Sequence, residues 1–183
     1  MTTASTGKNV PLLYGLLFGG VSILTTVIRY LGGVERFMGP MTYLAYVLII
    51  LFSVLAAAKQ KKQQDGYLEF SEALKTTFSV LVIGTFLTVA FEYVLYNYID
   101  IPFAQALTQA SAEKVGKAME KYKLLPQDKI DEAVDKMLTT DNYTIGKMFF
   151  GFLLKCIFLF VLALIVSAIM KKKRPVFENS FNQ

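Results

Sequence analysis

Four long apolar stretches leave this chain few ways to fold. They run roughly Val10–Leu31, Met41–Ala58, Thr76–Tyr98 and Ile145–Met170. As a helix, each is long enough to cross a bilayer whose apolar core is about 30 Å thick. Inside lipid every backbone N–H and C=O must be satisfied within the protein, and a helix does this in one segment. The expected fold is all-α: one integral membrane four-helix bundle, a single domain over residues 1–183. Three of the stretches also carry a charge where lipid would be expected: Arg29, Glu92 and Lys155.

Composition narrows the chemistry. Histidine is absent, which removes the usual neutral-pH proton carrier and the commonest metal ligand. The single cysteine, Cys156, lies inside the fourth stretch, so no disulfide forms within the chain, and it reads as a small apolar filler. Paired catalytic carboxylates, a nucleophile motif, a metal cluster and a phosphate loop are all missing from the sequence, so we expect no enzyme activity, no cofactor and no metal. The formal charge is +5, but the basic residues flank the apolar stretches and form no soluble domain, which argues against nucleic acid as a partner. The first apolar stretch is too long for a cleaved signal and no small-residue cleavage site follows it closely, so it reads as a retained first helix.

Lysine and arginine near the span ends set the expected threading. Lys59, Lys61 and Lys62 follow the second span, Lys171 to Arg174 follow the fourth, and Lys8 precedes the first. In an even-numbered bundle these all fall on one side. The opposite side has a short loop with Glu35 and Arg36, and a connector of residues 99–143 that holds six Lys against eight Asp or Glu. The basic ends are therefore expected in the cytoplasm, giving an N-in, C-in bundle. Seven of the ten tyrosines fall near the outer span ends, at the headgroup level such rings prefer (Tyr30, Tyr43, Tyr46, Tyr93, Tyr96, Tyr98 and Tyr143).

The connector has helical patterning of its own. Pro102 opens a run in which Phe103, Leu107, Val115, Met119 and Tyr122 recur at helical spacing. Leu124-Leu125-Pro126 interrupts it. A second short helix follows, with Ile130, Val134, Met137 and Leu138 on one stripe. Two short amphipathic helices over about 102–138 are thus expected as an extracytoplasmic cap, packed on the bundle mouth rather than laid on the membrane. Asn142-Tyr143-Thr144 matches a glycosylation sequon, relevant only in a eukaryotic secretory pathway. On the basic side, Asp65-Gly66 marks a turn, and Ser71 is expected to cap the third helix with Glu72 in its first turn.

Several segments together resemble one bacterial family. They are Tyr14-Gly15-Leu-Leu-Phe-Gly19-Gly20, the run Asp65-Gly66-Tyr67-Leu-Glu-Phe70-Ser71-Glu72-Ala73-Leu74-Lys75, and Tyr98-Ile-Asp100-Ile-Pro102-Phe103. They are similar to the small four-span membrane proteins catalogued as domain of unknown function 4199, from about Tyr14 to Lys173. The chain departs slightly: Ser71 stands where the family often has glycine, and Ile101 separates Asp100 from Pro102. The resemblance implies the four-span topology and a multi-pass place in the bacterial inner (cytoplasmic) membrane. It implies no activity and no catalytic residues.

The three odd charges fall in one layer. Counting 1.5 Å per residue from the basic boundary puts Lys155 roughly 22 Å, Glu92 roughly 24 Å and Arg29 roughly 28 Å away. Lys147 and Asp100 lie just above them. Each charge shares a face with small or polar residues: Gly15, Gly19, Ser22 and Thr26 with Arg29; Thr85, Thr88 and Tyr96 with Glu92; Lys147, Gly151, Ala163 and Ser167 with Lys155. Small residues let helices approach, and polar faces turn to the bundle interior. The second span has no such stripe. A lone charge at mid-membrane costs at least about 2.5–3.5 kcal/mol, so Glu92 is expected to pair with Lys155 or Arg29 and fix helix register.

Two functions compete on this pattern. The leading expectation is a non-enzymatic subunit or scaffold of a bacterial cell-envelope assembly, with membrane-protein partners and the lipid bilayer around it. The alternative is a small transporter or flippase for an anionic or lipid-linked substrate. It would use the spare positive charge of the Arg29, Glu92 and Lys155 cluster, with Lys147, Tyr96 and Asp100 nearby, to hold an anion such as a lipid phosphate. The absence of an internal repeat counts mildly against many transporter folds. A dry, fully paired cluster favours the scaffold, and an open pocket around Lys155 favours the alternative.

Overall fold

The computed structural model describes residues 9–174. Four helices are long and apolar enough to cross a membrane: α1 (Val10–Leu31), α3 (Tyr43–Gln63), α4 (Phe70–Val94) and α7 (Ile145–Met170). A 3₁₀ turn, Pro40–Thr42, extends the second span at its start, and a π-helical turn, Leu95–Ile99, extends the third at its end. A five-residue helix, α2 (Gly33–Phe37), occupies the loop after α1. The connector holds α5 (Ile101–Lys121) and α6 (Gln127–Thr139). No strand occurs among the described residues, only an isolated antiparallel bridge between Leu68 and Lys172.

The helix bounds follow from residue chemistry, and two depart from expectation. α3 continues five residues past Ala58 to Gln63. Lys and Gln are strong helix formers, and cations suit a helix C-terminus. Lys61 also donates its Nζ to the carbonyl of Met170, which ties α3 to the end of α7. Asp65 (φ 56°) and Gly66 (φ 84°) then reverse the chain in left-handed conformations. α4 begins at Phe70, not Thr76, so Ser71 lies inside its first turn rather than capping it. The N-cap is Glu69, without a side-chain cap bond. Leu68 meets Lys172 in two backbone hydrogen bonds of 2.9 and 2.8 Å, which set the entry to α4 one turn earlier than the apolar pattern.

In the bundle, α4 packs on α1, α7 and α3, and α3 also reaches α1 and α7. The tightest seam is α1 against α4. Cβ atoms placed at Gly15 and Gly19 would lie 2.8 Å from Ile83 Cβ and 2.7 Å from Leu87 Cδ1. The Gly15-x-x-x-Gly19 face thus serves packing within the bundle. Phe18, Leu48, Val80, Leu81, Leu159 and Ala163 form the central core, and Ala57, Leu68 and Ala73 close the basic end. Inside this region Thr77 and Ser167 share a 3.0 Å hydrogen bond between α4 and α7, while the buried Gln60 Oε1 on α3 has no partner among the described residues. Large apolar side chains such as Leu24, Ile28, Ile50, Phe150 and Ile157 stay exposed on the outer helix faces, as a surface solvated by lipid tails requires.

At the other end α5 docks on the bundle. Asp100 Oδ1 accepts the backbone N–H of Phe103 at 2.9 Å, and Pro102 sits in the first turn, so the start of α5 is fully specified. Phe103, Ala104 and Leu107 then pack with Phe37, Leu95 and Tyr96 in a second core. α5 stops at Lys121, Lys123 takes φ 50°, and Pro126 is the N-cap of α6. The helix α6 packs back on α5 through Ile130 and through Val134, which faces Gly116. The basic segments 59–62 and 171–174 lie together at the end opposite this hairpin. Lys8 lies outside the described residues.

Candidate functional site

The close α1–α4 packing at Gly19 and Gly84 is followed, towards the connector, by space between the spans. A cavity of about 620 Å³ opens between them, on the connector side of the central core. Its floor is Phe18, Leu48 and Leu159, and its far wall is Phe37 and Thr42. Arg29, Glu92 and Lys155 all line it. Ser22 and Thr26 of α1, Thr85 and Thr88 of α4 and Gly151 of α7 line it too, whereas Gly15, Gly19, Tyr96, Lys147, Ala163 and Ser167 of the expected faces do not. The second span adds an apolar wall, Ala45, Leu48 and Ile49, with Tyr46 as its polar member.

The expected ion pair within this layer is not formed. Among the described residues the ion pairs are Lys117–Glu113, Lys129–Glu132 and Arg174–Asp65, all at exposed positions. Glu92 has no ion-pair partner within 4.0 Å and no side-chain hydrogen bond among the described residues. The charges that act on it most strongly are Lys155, then Arg29, across the cavity. Arg29 is drawn away by a stronger geometric fit. Its Nε donates to the Phe37 carbonyl at 3.1 Å, and its Nη2 donates to the same oxygen and to Thr42 Oγ1 at 3.2 Å. That carbonyl closes a five-residue helix and has no helical partner of its own. The guanidinium also sits 4.2 Å above the Phe37 ring centre, a cation–π contact.

The cavity is therefore lined by unmatched groups. Arg29 and Lys155 against Glu92 leave one net positive charge. Arg29 Nη1 and Lys155 Nζ have no hydrogen-bond partner among the described residues. The hydroxyls of Thr26 and Thr88 donate to the carbonyls of Ser22 and Gly84 one turn back, so they turn lone pairs to the cavity. The free donors of the lining thus include the two cations and the hydroxyls of Ser22 and Thr85, which make no side-chain hydrogen bond among the described residues. Lys155 is exposed at the side of α7, next to the edge-on pair Tyr46–Phe158, whose ring centres are 6.5 Å apart.

The other expected members lie elsewhere. Tyr96 is buried behind the cavity wall, with its ring centre 6.5 Å from Phe37 and 4.6 Å from Tyr143. Lys147 is exposed and donates to the Asp141 carbonyl at 2.6 Å, so it does not extend the cluster. Asp100 accepts the Tyr30 hydroxyl at 2.8 Å while capping α5, so it links the end of α1 to the connector. Burial pushes the Tyr143 phenol above its ordinary range, with a hydrogen bond from Thr108 pulling the other way and the charge of Glu92 adding to the rise. Phe37 and Thr42 are the site residues that the apolar pattern did not single out. The Gly32-Gly33 and Gly39-Pro40 pairs that bracket a helical turn are the signal that marks them.

Residues 13–172 match the family model described as a protein of unknown function, DUF4199. The chain belongs to that family. No curated protein and no solved structure matches it. The DUF4199 match covers all four membrane-length helices, both connector helices and every residue of the charged cavity. Among the described residues of this DUF4199 chain, no group of three His, Cys, Asp or Glu side chains is placed to hold a metal ion.

Proposed function

We propose that this DUF4199 chain is a multi-pass membrane protein that binds the anionic head of an amphiphile in its intramembrane cavity, without catalysing a reaction on it. One observation carries the reading: Arg29, Glu92 and Lys155 line one cavity between the spans, Lys155 with an exposed side chain, and no two of them form an ion pair. Unpaired ionisable groups inside a membrane are expensive, and a cavity that keeps them is a binding site by default. Free donors on Arg29 and Lys155 suit a phosphate or carboxylate, and the apolar floor suits a chain. On this reading the ligand arrives sideways from the bilayer past the exposed Lys155, as a flippase or lipid-linked carrier requires. The basic residues clustered at one end support an N-in, C-in threading in a bacterial inner membrane, with α5 and α6 outside.

The scaffold reading retains one observation: Arg29 braces Phe37 and Thr42, which is structural work. Two substitutions separate the readings. Pairing for stability predicts that Glu92→Gln lowers folded yield and that Lys155→Met in the same chain restores it. Binding predicts that both single variants fold. Native mass spectrometry of the purified chain with phosphatidylglycerol is then expected to show weaker retention for Lys155→Met. Retention for Glu92→Gln is expected to be equal or stronger, because a competing carboxylate charge is gone. Equal retention by the wild type and Lys155→Met overturns the proposal.

A further inference from the structure

A second cavity of about 910 Å³ lies outside the four spans, between the π-helical turn, α5, α6 and the loop before α7. It shares no lining residue with the charged cavity. The aromatic stack of Phe37, Phe103 and Tyr96 stands between the two, with ring centres 5.4–6.5 Å apart.

The chemistry of the two cavities is opposite. The connector cavity has no Lys or Arg among its described lining residues. It has two carboxylates, Glu113 and Asp141, and four carboxamides, Asn97, Gln105, Gln109 and Asn142. The two asparagines are fixed in place. Asn97 Nδ2 donates to the carbonyls of Tyr93 and Tyr143 at 3.0 Å each, and Asn142 Nδ2 donates to Met137 at 2.8 Å. The two glutamines are free. Gln105 and Gln109 stand one helical turn apart on α5, both in the lining, and neither makes a side-chain hydrogen bond among the described residues. Tyr143 and Tyr96 supply an aromatic face held 4.6 Å apart.

We propose that this connector cavity is a binding site for a neutral, hydroxyl-rich ligand of the size of a short sugar. A carboxamide both donates and accepts, which matches a hydroxyl that does the same. A carboxylate accepts from a hydroxyl, so Glu113, already paired with Lys117 at 2.5 Å, and Asp141 both offer acceptors to such a ligand, and Asp141 disfavours the anions that the charged cavity would take. An aromatic face suits the apolar side of a sugar ring. The volume falls in the range of small-molecule sites. Asn97 lies in the π-helical turn, and its Nδ2 reaches the Tyr143 carbonyl, which ties this end of the third span to the loop before α7 at the cavity's edge.

The test uses the full chain in phosphatidylcholine nanodiscs, which contain no sugar. Maltose and N,N′-diacetylchitobiose at millimolar concentration serve as probes in saturation-transfer NMR. Saturation transfer to at least one of them is expected. It should weaken about tenfold or more in the double variant Gln105→Leu, Gln109→Leu, which removes two polar contacts. Both glutamines are exposed, so the variant is expected to melt as the wild type does. If it does not, Gln109→Trp, which fills the cavity, replaces it. Glu92→Gln is expected to leave sugar binding unchanged, which separates this site from the charged cavity. Absence of transfer to both sugars, or transfer undiminished in the glutamine variants, overturns the proposal.

Discussion

Single residues decide the two features that matter most here, and they differ in how plainly the sequence shows them. Glycine is the plainer case. Gly15 and Gly19 mark a face by spacing alone, but Gly84 on the partner helix is isolated in its sequence and has no pattern to flag it. The structure places it against the Phe18 ring, where a Cβ would lie 2.8 Å from Phe18 Cγ and closer still to Cδ1. Phe18 is held from its other side by Phe52, with ring centres 5.6 Å apart, so the ring has little room to retreat. Overpacking of this kind costs about 1–3 kcal/mol. Gly84→Ala is therefore expected to lower the denaturant or thermal midpoint of the purified chain, and Phe18→Leu in the same chain to recover part of the loss. A midpoint equal to wild type for Gly84→Ala would contradict the seam. Arg29 is the harder case. It lines the cavity with Glu92 and Lys155, but its partner is a backbone carbonyl, and no side-chain pattern announces a carbonyl.

Whole helices were legible where hydropathy alone decides them, and misplaced where hydrogen bonding extends them. The first and fourth spans run Val10–Leu31 and Ile145–Met170, as the apolar stretches mark them. The second and third run on into polar sequence, because Lys and Gln propagate a helix and because Leu68 and Lys61 tie their ends to residues 170–172. The connector was readable from its punctuation: Asp100 with Pro102 starts α5 and Pro126 starts α6. What could not be read was the π-helical turn, which needs Asn97 and Tyr143 to be brought together across 46 residues. Tyr143 gives this element a pH signature. Its phenol is raised above the ordinary value of about 10, because burial disfavours the phenolate. The stability that its neutral form provides is thus intact below about pH 10, and is lost as pH rises through the folded-state value. Hydrogen exchange in residues 139–143 is expected to show protection falling faster with pH above about 10 in wild type than in Tyr143→Phe, after correction for intrinsic exchange. Identical profiles would show that the ring is not buried.

At the scale of the whole molecule, the spacing of charges along separate helices placed Arg29, Glu92 and Lys155 in one layer, and the structure lines one cavity with all three. The cavity itself was not legible. It lies on the connector side of the close α1–α4 packing at Gly15, Gly19 and Gly84, and a space between helices is a property of their packing together rather than of one sequence pattern. The same assembly sets a strong constraint on threading. Lys61 reaches the Met170 carbonyl and Leu68 bridges Lys172, so the ends of the second and fourth spans must share one side of the membrane. The α5–α6 hairpin is at the opposite end. The proposed threading, by the positive-inside rule, has that shared side in the cytoplasm, and labelling tests it. In a Cys156→Ser background, single cysteines at Lys62, Lys173 and Asp128 report this directly in intact cells. A membrane-impermeant thiol reagent is expected to label the Asp128→Cys chain alone, with the other two labelled only after the membrane is opened. Labelling of Lys62→Cys and Lys173→Cys from outside, with Asp128→Cys protected, would invert the threading but leave the fold intact. Labelling of Lys62→Cys and Lys173→Cys from different sides would break the fold itself, because no bundle can then keep the Lys61–Met170 bond.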